Sequence, residues 1–257
     1  MSSNPYATPK AAVADAASAP QGTFVPGGRA VSAGRGWDWI ASGWDLFVRQ
    51  PGMWILIFLA LMVASVVLSL IPLVGIVVNV LGPVIGAGLM VGCRALDSGQ
   101  ELEFGHVFAG FRDKFGPLAA VGAIALVVSF VIVVLVILTI GGGIMAMAQT
   151  QDPSLAPKAL LTALLAFLVI LALMLPVVMA MWFAPALIVF HDRGPIDAMK
   201  ESFSGCLKNF MPYLVYSIIL LVPALLGTVL IGLGWLVLGP VVAASIYCSY
   251  RDIYFTS

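Results

Sequence analysis

Four long stretches of the chain contain no charged side chain, and they determine the predicted architecture. Asp, Glu, Lys and Arg are all absent from residues 50–93, 115–151, 159–191 and 209–250, which are rich in Leu, Val, Ile, Ala and Gly. A helix that crosses a bilayer needs about 20 predominantly apolar residues. The first and last stretches each have room for two such helices and a turn, and the middle two have room for one each. The pattern predicts an all-α integral membrane protein with six transmembrane helices.

The apolar runs and their flanking prolines and glycines give approximate limits for these helices. We predict the first at residues 51–70, the second ending near 93, and the others at 117–140, 159–190, 211–231 and up to about 250. The fourth helix is longer than a minimal crossing. Pro176 and Pro185 are therefore expected to kink it or to end its membrane portion early, because proline removes a backbone donor.

The basic residues predict the orientation. Every Lys and Arg except Lys158 falls on one side of the six-helix arrangement. Because Lys and Arg in short loops favour the cytoplasmic side, we predict a multi-pass protein of the bacterial inner membrane with both termini in the cytoplasm. Cys93, Cys206 and Cys248 lie near this side, where free, reduced thiols are expected.

Composition supports this interpretation and excludes others. Hydrophobic residues make up 61% of the chain and charged residues 9%, with a mean hydropathy of +1.09. A soluble domain has about a quarter charged residues, so a water-soluble protein is excluded. The net charge is zero, which argues against a nucleic-acid partner. Residues 1–35 are rich in Ala, Pro, Ser and Gly and contain no apolar run. We predict no cleavable signal peptide and a disordered N-terminal tail over 1–35, followed by a transmembrane domain over 36–257.

A short amphipathic segment precedes each of the three predicted helix pairs. Apolar residues recur at helical spacing in all three, and the polar residues lie opposite. The three stripes are Trp37, Ile40, Trp44 and Phe47; Phe104, Val107, Phe108, Phe111 and Phe115; and Ile196, Met199, Phe203, Leu207 and Phe210. We predict interfacial helices on the cytosolic side. Packing against the ends of the bundle is the alternative, and both can hold together.

The first and third units also resemble each other in sequence. Residues 81–84 and 238–241 both read Leu-Gly-Pro-Val, and Arg94 and Arg251 follow their prolines at the same spacing. Because each unit enters and leaves on the same side, the pattern predicts parallel pseudo-repeats. Gly82, Gly86, Gly88 and Gly92 indicate close helix packing, with an oligomer contact or a lipid-binding cleft as alternatives.

Little in the sequence indicates chemistry. No predicted crossing contains an ionisable Asp, Glu, Lys or Arg, which disfavours ion-coupled transport, and Asn79 is the most polar residue near the middle of a helix. His191 beside Asp192 is the best candidate for acid–base catalysis. No catalytic or nucleotide-binding motif accompanies this pair, so we predict no enzyme activity, no metal and no cofactor.

Three segments carry a resemblance to a known group of proteins: residues 34–47, 182–188 and 198–209. Together they resemble an uncharacterised proteobacterial family of six-span inner-membrane proteins. That family is distantly similar to YciC-like proteins and to the membrane domain of some glycerophosphodiester phosphodiesterases. The resemblance covers about residues 34–257. It implies an inner-membrane location and cytosolic termini, and it supplies no catalytic residues.

These observations lead to a prediction of a scaffold or regulator that acts through lipids, other membrane proteins or copies of itself. A transporter or flippase for a lipid or amphiphile is the alternative, with Asn79 as a candidate residue of a midplane site. Basic residues near the membrane surface are expected to meet anionic headgroups, and tryptophans to anchor the interface. The predicted residues are Arg49, Arg94, Arg112, Lys114, Arg193, Lys208, Arg251, Trp37, Trp39 and Trp44.

Overall fold

The computed structural model describes residues 22–71, 74–142, 145, 155–229 and 233–256, most of which are helical. Ten α-helices are described: α1 Arg35–Arg49, α2 Pro51–Ser69, α3 Val74–Asp97, α4 Ala109–Asp113, α5 Phe115–Val136, α6 Ala156–Trp182, α7 Ala184–His191, α8 Pro195–Lys208, α9 Phe210–Val229 and α10 Trp235–Tyr254. A 3-10 helix over Phe104–Phe108 precedes α4, and a π-helical turn over Ile137–Gly141 follows α5.

Five segments of the described chain are long and apolar enough to cross a membrane. They are Pro51–Ser69, Val78–Asp97, Phe115–Val136, Ala156–His191 and Phe210–Val229. These correspond to the first five predicted crossings. The sixth predicted crossing is α10, which falls outside this group. It combines a less apolar sequence, which includes Arg251 and Asp252 in its last turn, with the burial of ten of its 20 residues.

The predicted N-terminal tail is ordered in its second part. Residues 22–34, here called the N-terminal strap, contain strand β1, Thr23–Phe24, which pairs antiparallel with β2, Phe255–Thr256. The strap then continues to the start of α1. The prediction of a disordered segment through residue 35 therefore differs from the structure over residues 22–35, and residues 1–21 lie outside the described part.

Contacts with distant residues explain why this glycine-rich segment is ordered. The Asn209 side chain accepts a hydrogen bond from the Val31 N–H at 2.8 Å and donates to the Arg29 carbonyl at 2.8 Å. The Lys208 Nζ donates to the carbonyls of Gly27 and Gly28 at 3.0 and 2.9 Å. These side chains give the backbone the partners that its own composition does not supply.

The long fourth crossing is interrupted at Phe183, between α6 and α7. Pro185 cannot donate a backbone hydrogen bond, which weakens the helix at this point. The Ser202 hydroxyl of α8 accepts from the Phe183 N–H at 2.9 Å and donates to the Met179 carbonyl at 2.6 Å. Pro185 thus marks a break, as predicted, whereas Pro176 lies inside the continuous helix α6.

The core of the described chain occupies the halves of the helices that lie nearest the charged residues. In α2 only Trp54 and Ile57 are buried, and in α6 only Met179. In α10 the buried positions begin at Pro240 and continue to Tyr254. The opposite halves of these helices present Leu, Val, Ile and Phe side chains outward, as expected for a protein whose surroundings are hydrocarbon.

Helix α1 lies against α9 and α10 through small residues. Gly36 and Gly43 are buried, and a Cβ added at Gly43 would lie 2.7 Å from the Ser245 nitrogen. Glycine therefore permits the close approach of two helix backbones. Helix α3 uses Gly88 in the same way against Val107 and Gly92 against Leu102, whereas a Cβ added at Gly86 would make an ordinary contact with Pro185 and one at Gly82 would meet open space. The close-packing interpretation of the glycine pattern in α3 thus holds for Gly88 and Gly92.

Candidate functional site: the charged end of the bundle

The described charged residues other than Lys158 gather at one end of the molecule, here called the charged end. Two carboxylates connect the segments that meet at the charged end, and the first belongs to Asp252, near the end of α10. Its carboxylate accepts from the Arg35 Nε at 2.7 Å, the Trp39 Nε1 at 2.9 Å and the Arg29 Nη2 at 3.2 Å. The hydrogen bond and charge of Asp252 raise the pKa of Arg35 above its ordinary value. This carboxylate therefore connects the N-terminal strap, α1 and α10.

The second connecting carboxylate belongs to Asp97, at the end of α3. It forms an ion pair with Arg251 and accepts from the Tyr247 hydroxyl at 3.0 Å. Both carboxylates line a polar cavity of about 300 Å³, together with the three arginines that they pair with and the side chain of Cys248. Opposite charges are thus matched within the protein at the point where α3, α10 and the strap meet.

Trp39 shows what the sequence pattern missed. We expected this side chain to anchor the membrane interface, but it is buried to 99% of its surface, with its indole nitrogen on Asp252. The interface role is therefore wrong for Trp39. Trp37 and Trp44, on the predicted stripe, are instead exposed and remain able to reach the interface. The signal for Trp39 was its position between Gly36 and Gly43, the small residues of the packed face.

The basic residues predicted to meet lipid headgroups are mostly engaged with the protein. The partners are the Leu96 carbonyl for Arg49, the Phe190 ring for Arg94, the Gly105 carbonyl for Arg112, Asp192 for Lys114, Glu201 for Arg193, the strap carbonyls for Lys208 and Asp97 for Arg251. These contacts leave some donor groups exposed to solvent or headgroups. They also show that each side chain has a structural role in addition to any lipid contact.

His191 and Asp192 point to different partners. The His191 Nε2 lies 2.6 Å from the Tyr250 hydroxyl, and its ring stacks on Phe24 of the strap at 3.8 Å. Asp192 has a left-handed backbone with φ of 54° and an exposed side chain that pairs with Lys114, which lowers its pKa. The two side chains therefore do not form a shared acid–base pair. Within the described ranges, no three His, Cys, Asp or Glu residues are placed to hold a metal ion.

Asn79 forms its hydrogen bond within its own helix. The Asn79 Nδ2 donates to the Gly75 carbonyl at 2.8 Å, and the residue is exposed. Such a bond satisfies the amide locally. Asn79 thus stands on the outer surface of α3 rather than among converging polar groups.

Two apolar depressions lie beside α8. A cavity of about 310 Å³ lies between α6, α8 and α9 and includes Trp182, Cys206 and Tyr213 in its walls. A groove of similar volume lies between α5, α6 and α8, with Lys200 at its edge. Burial raises the pKa of the Cys206 thiol to about 12, so this wall of the cavity is uncharged at neutral pH.

These features define a class: a multi-pass, all-helical membrane protein whose charged residues collect at one end and whose apolar helices face lipid. A protein of Burkholderia thailandensis described as a probable inner membrane protein is 30% identical to this chain over 246 residues, covering 87% of this chain and 91% of the relative. The chain belongs to the family of this probable inner membrane protein. No family model and no solved structure matches the chain.

Proposed function

We propose that the chain crosses the inner membrane six times, with both termini in the cytoplasm. Pairing of β1 with β2 supports this proposal, because it holds residues 23–24 beside residues 255–256. Two ends on the same side require an even number of crossings between them. Five segments of the described chain qualify by apolar character alone, so α10 supplies the sixth crossing. Its polar side chains are tolerated because the surrounding helices bury them.

In this arrangement the six crossings form three helix pairs: α2 with α3, α5 with α6 and α7, and α9 with α10. Each pair follows an interfacial segment. Supporting this, Trp37, Trp44, Phe104, Phe108, Ile196 and Leu207 of the predicted stripes are exposed. Small residues such as Gly43, Ala198 and Gly205 face the bundle instead. Apolar side chains directed away from the protein, next to charged residues, suit a helix lying in the headgroup layer.

We further propose that the protein is not an enzyme and acts as a scaffold or regulator, through contacts with lipids or other membrane proteins. One observation carries this proposal: the polar groups of the charged end are largely used to hold the protein together. The surface that remains available is the apolar face of the helices and the exposed interfacial stripes. An exposed apolar surface of this kind is suited to association within the bilayer.

Detergent-free extraction of the full chain in polymer-bounded membrane discs tests this role. We expect one phospholipid class or one membrane protein to be enriched in the discs relative to the bulk membrane. The matched control is an unrelated six-helix inner-membrane protein extracted in the same way. Discs with the composition of the bulk membrane and no retained protein partner would contradict the proposal.

A transporter or flippase for an amphiphile is the second candidate. The apolar cavity between α6, α8 and α9 favours it, because Trp182 in its wall has a buried indole N–H without a hydrogen-bond partner in the described structure. Reconstitution into liposomes with fluorescent phospholipid distinguishes the two candidates. A scaffold leaves the inner-leaflet probe protected from a membrane-impermeant quencher, whereas a flippase exposes it.

The distant similarity to YciC-like proteins and to phosphodiesterase membrane domains remains a proposal. The comparison to make is between the order of helices in the described chain and the order of helices in those proteins. An experimental structure of either group with the same interfacial helix before each pair would support it.

A further inference from the structure

A groove beside α8 has the properties of a specific lipid site. Its walls are Ile124 of α5, Ala180 of α6, and Ile196, Met199, Lys200 and Phe203 of α8. The first two residues belong to membrane-crossing segments and the other four to an interfacial segment. The groove therefore lies at the level where acyl chains meet the glycerol and phosphate groups of a phospholipid. Its volume of about 310 Å³ is at the lower end for small-molecule sites.

Lys200 differs from the other cations of the charged end. Each of the other described Lys and Arg residues there contacts a carboxylate, a backbone carbonyl or an aromatic ring, as set out above for those predicted to bind headgroups. Arg29 and Arg35 pair with Asp252. Lys200 is exposed, and no protein partner is recorded for its ammonium group in the described chain. A free cation thus stands at the edge of an apolar groove.

The two acidic residues closest to Lys200 in sequence, Asp197 and Glu201, do not form an ion pair with it. Glu201 is held by Arg193, with the Arg193 Nε 3.1 Å from its Oε1. Asp197 lies in the first turn of α8, where the helix dipole favours a negative charge. It lies one turn before Lys200 and reduces the local positive potential without forming an ion pair with that residue. The groove edge therefore retains an ammonium group without an ion-pair partner in the described chain.

We propose that this groove binds one anionic phospholipid of the inner leaflet. Its phosphate accepts hydrogen bonds from the Lys200 Nζ, and one acyl chain lies along Ile124, Ala180 and Phe203. The inference rests on the proposed lipid-dependent role and names its ligand class and site. The charge of Lys200 selects an anionic headgroup, and the apolar walls exclude a soluble phosphate compound that lacks a chain.

Native mass spectrometry of the purified full chain with added phosphatidylglycerol or phosphatidylcholine tests the site. We expect the wild type to retain phosphatidylglycerol in preference to phosphatidylcholine. Lys200→Gln should lower phosphatidylglycerol affinity about fivefold, the effect of roughly one basic residue at an anionic surface, and lower phosphatidylcholine affinity less, because choline already neutralises that phosphate. Lys200→Arg should restore the preference, and Asp197→Asn should strengthen it.

Lys158→Gln is the matched control, because Lys158 is also an exposed lysine but lies near the opposite end of the crossings. It should leave binding unchanged. Ala180→Phe fills the groove and should reduce the retention of both lipids, and Ile124→Phe repeats this test from another helix. A normal gel-filtration profile and thermal transition verify folding of each variant.

The outcomes separate the two proposals. A wild type that prefers phosphatidylglycerol, together with a Lys200→Gln variant that keeps the full preference, would overturn the site and leave the lipid-dependent role intact. A wild type without any lipid preference and without a retained protein partner would overturn both.

Discussion

Asp252 shows how much of this protein depends on single side chains. Its carboxylate is nearly buried and joins three partners from the strap and α1 to the end of α10. Sequence patterns predicted a membrane protein with charged ends, but they did not predict which acid would accept which base. Residues 29, 35 and 39 are more than 200 positions away from residue 252, so only the folded chain brings them together.

We predict that Asp252→Asn lowers the free energy of unfolding by about 2 kcal/mol, since charge-assisted hydrogen bonds typically contribute this much and two guanidinium groups lose their counter-charge. Thermal unfolding in membrane discs measures the change. Asp38→Asn is the matched control, because Asp38 forms an exposed pair with the same Arg35 and its loss should cost less than about 0.5 kcal/mol. Equal effects of the two substitutions would contradict the assigned role.

The Cys206 thiol gives a second prediction at this scale. An unperturbed thiol has a pKa near 8.5, and that of Cys206 is raised to about 12 by burial. In a variant with Cys206 as the sole cysteine, maleimide labelling of the folded protein should therefore stay slow from pH 7 to pH 9.

The raised pKa of Cys206 also makes the stability of the folded protein depend on pH. Because the folded pKa is raised, the thiol's contribution to stability is present below the unfolded pKa of about 8.5 and is lost as the pH rises towards 12. Labelling after unfolding is the control. A labelling rate for the folded protein that equals the rate for the unfolded protein at the same pH would contradict the burial of this side chain.

At the scale of elements, the helix limits were largely predictable and their contacts were not. Continuous apolar runs predicted α2, α5 and α9 to within a few residues, because lipid imposes a length on any helix that crosses it. The break at Phe183 was indicated by Pro185. The hydroxyl that satisfies the broken turn belongs to Ser202 of another helix, and no local pattern indicates it.

Ser202→Ala should destabilise the protein by about 1–3 kcal/mol, because the Phe183 N–H and the Met179 carbonyl would both lose their buried partner. Chemical or thermal unfolding in discs measures this change. Ser69→Ala is the control, since the Ser69 hydroxyl is exposed and bonds only to its own helix. A loss no larger than that of the control would show that the break is maintained without Ser202.

The N-terminal strap is where the sequence-based prediction of an element differed from the structure. Its composition favours disorder when considered alone, since it has few apolar side chains to bury. Lys208 and Asn209, at the end of α8, supply the hydrogen bonds that order it. The chemistry that fixes the strap lies outside the strap.

At the scale of the whole molecule, the number of membrane crossings depends on both the hydropathy of the sequence and the contacts in the folded chain. Among the described residues, apolar character identifies five segments able to cross a membrane, and the pairing of the two short strands favours an even number of crossings. The sixth helix is difficult to recognise from hydropathy, because α10 is half buried in the protein and has polar residues that its neighbours satisfy. Examples are Ser245 with Tyr216 and Ser249 with Tyr213.

A pair of engineered cysteines tests this topology. Thr23 and Thr256 face each other in the strand pair, so Thr23→Cys with Thr256→Cys should form a disulfide under oxidising treatment of membranes. The native cysteines are replaced by alanine in this variant. Each single cysteine should be labelled only from the cytoplasmic side, and Lys158→Cys only from the periplasmic side. Labelling of positions 23 and 256 from opposite sides would contradict six crossings.

The sequence by itself determined that this is a membrane protein, how long most of its helices are and which end carries the charge. These properties follow from the cost of placing charges and unpaired backbone groups in hydrocarbon, which acts on each segment separately. Only the tertiary structure decided the partners of Asp252, Asp97, Ser202 and Asn209, and which of the described lysines at the charged end lacks an ion-pair partner. Those outcomes depend on contacts between residues far apart in the chain, where complementary groups meet only after the helices have packed.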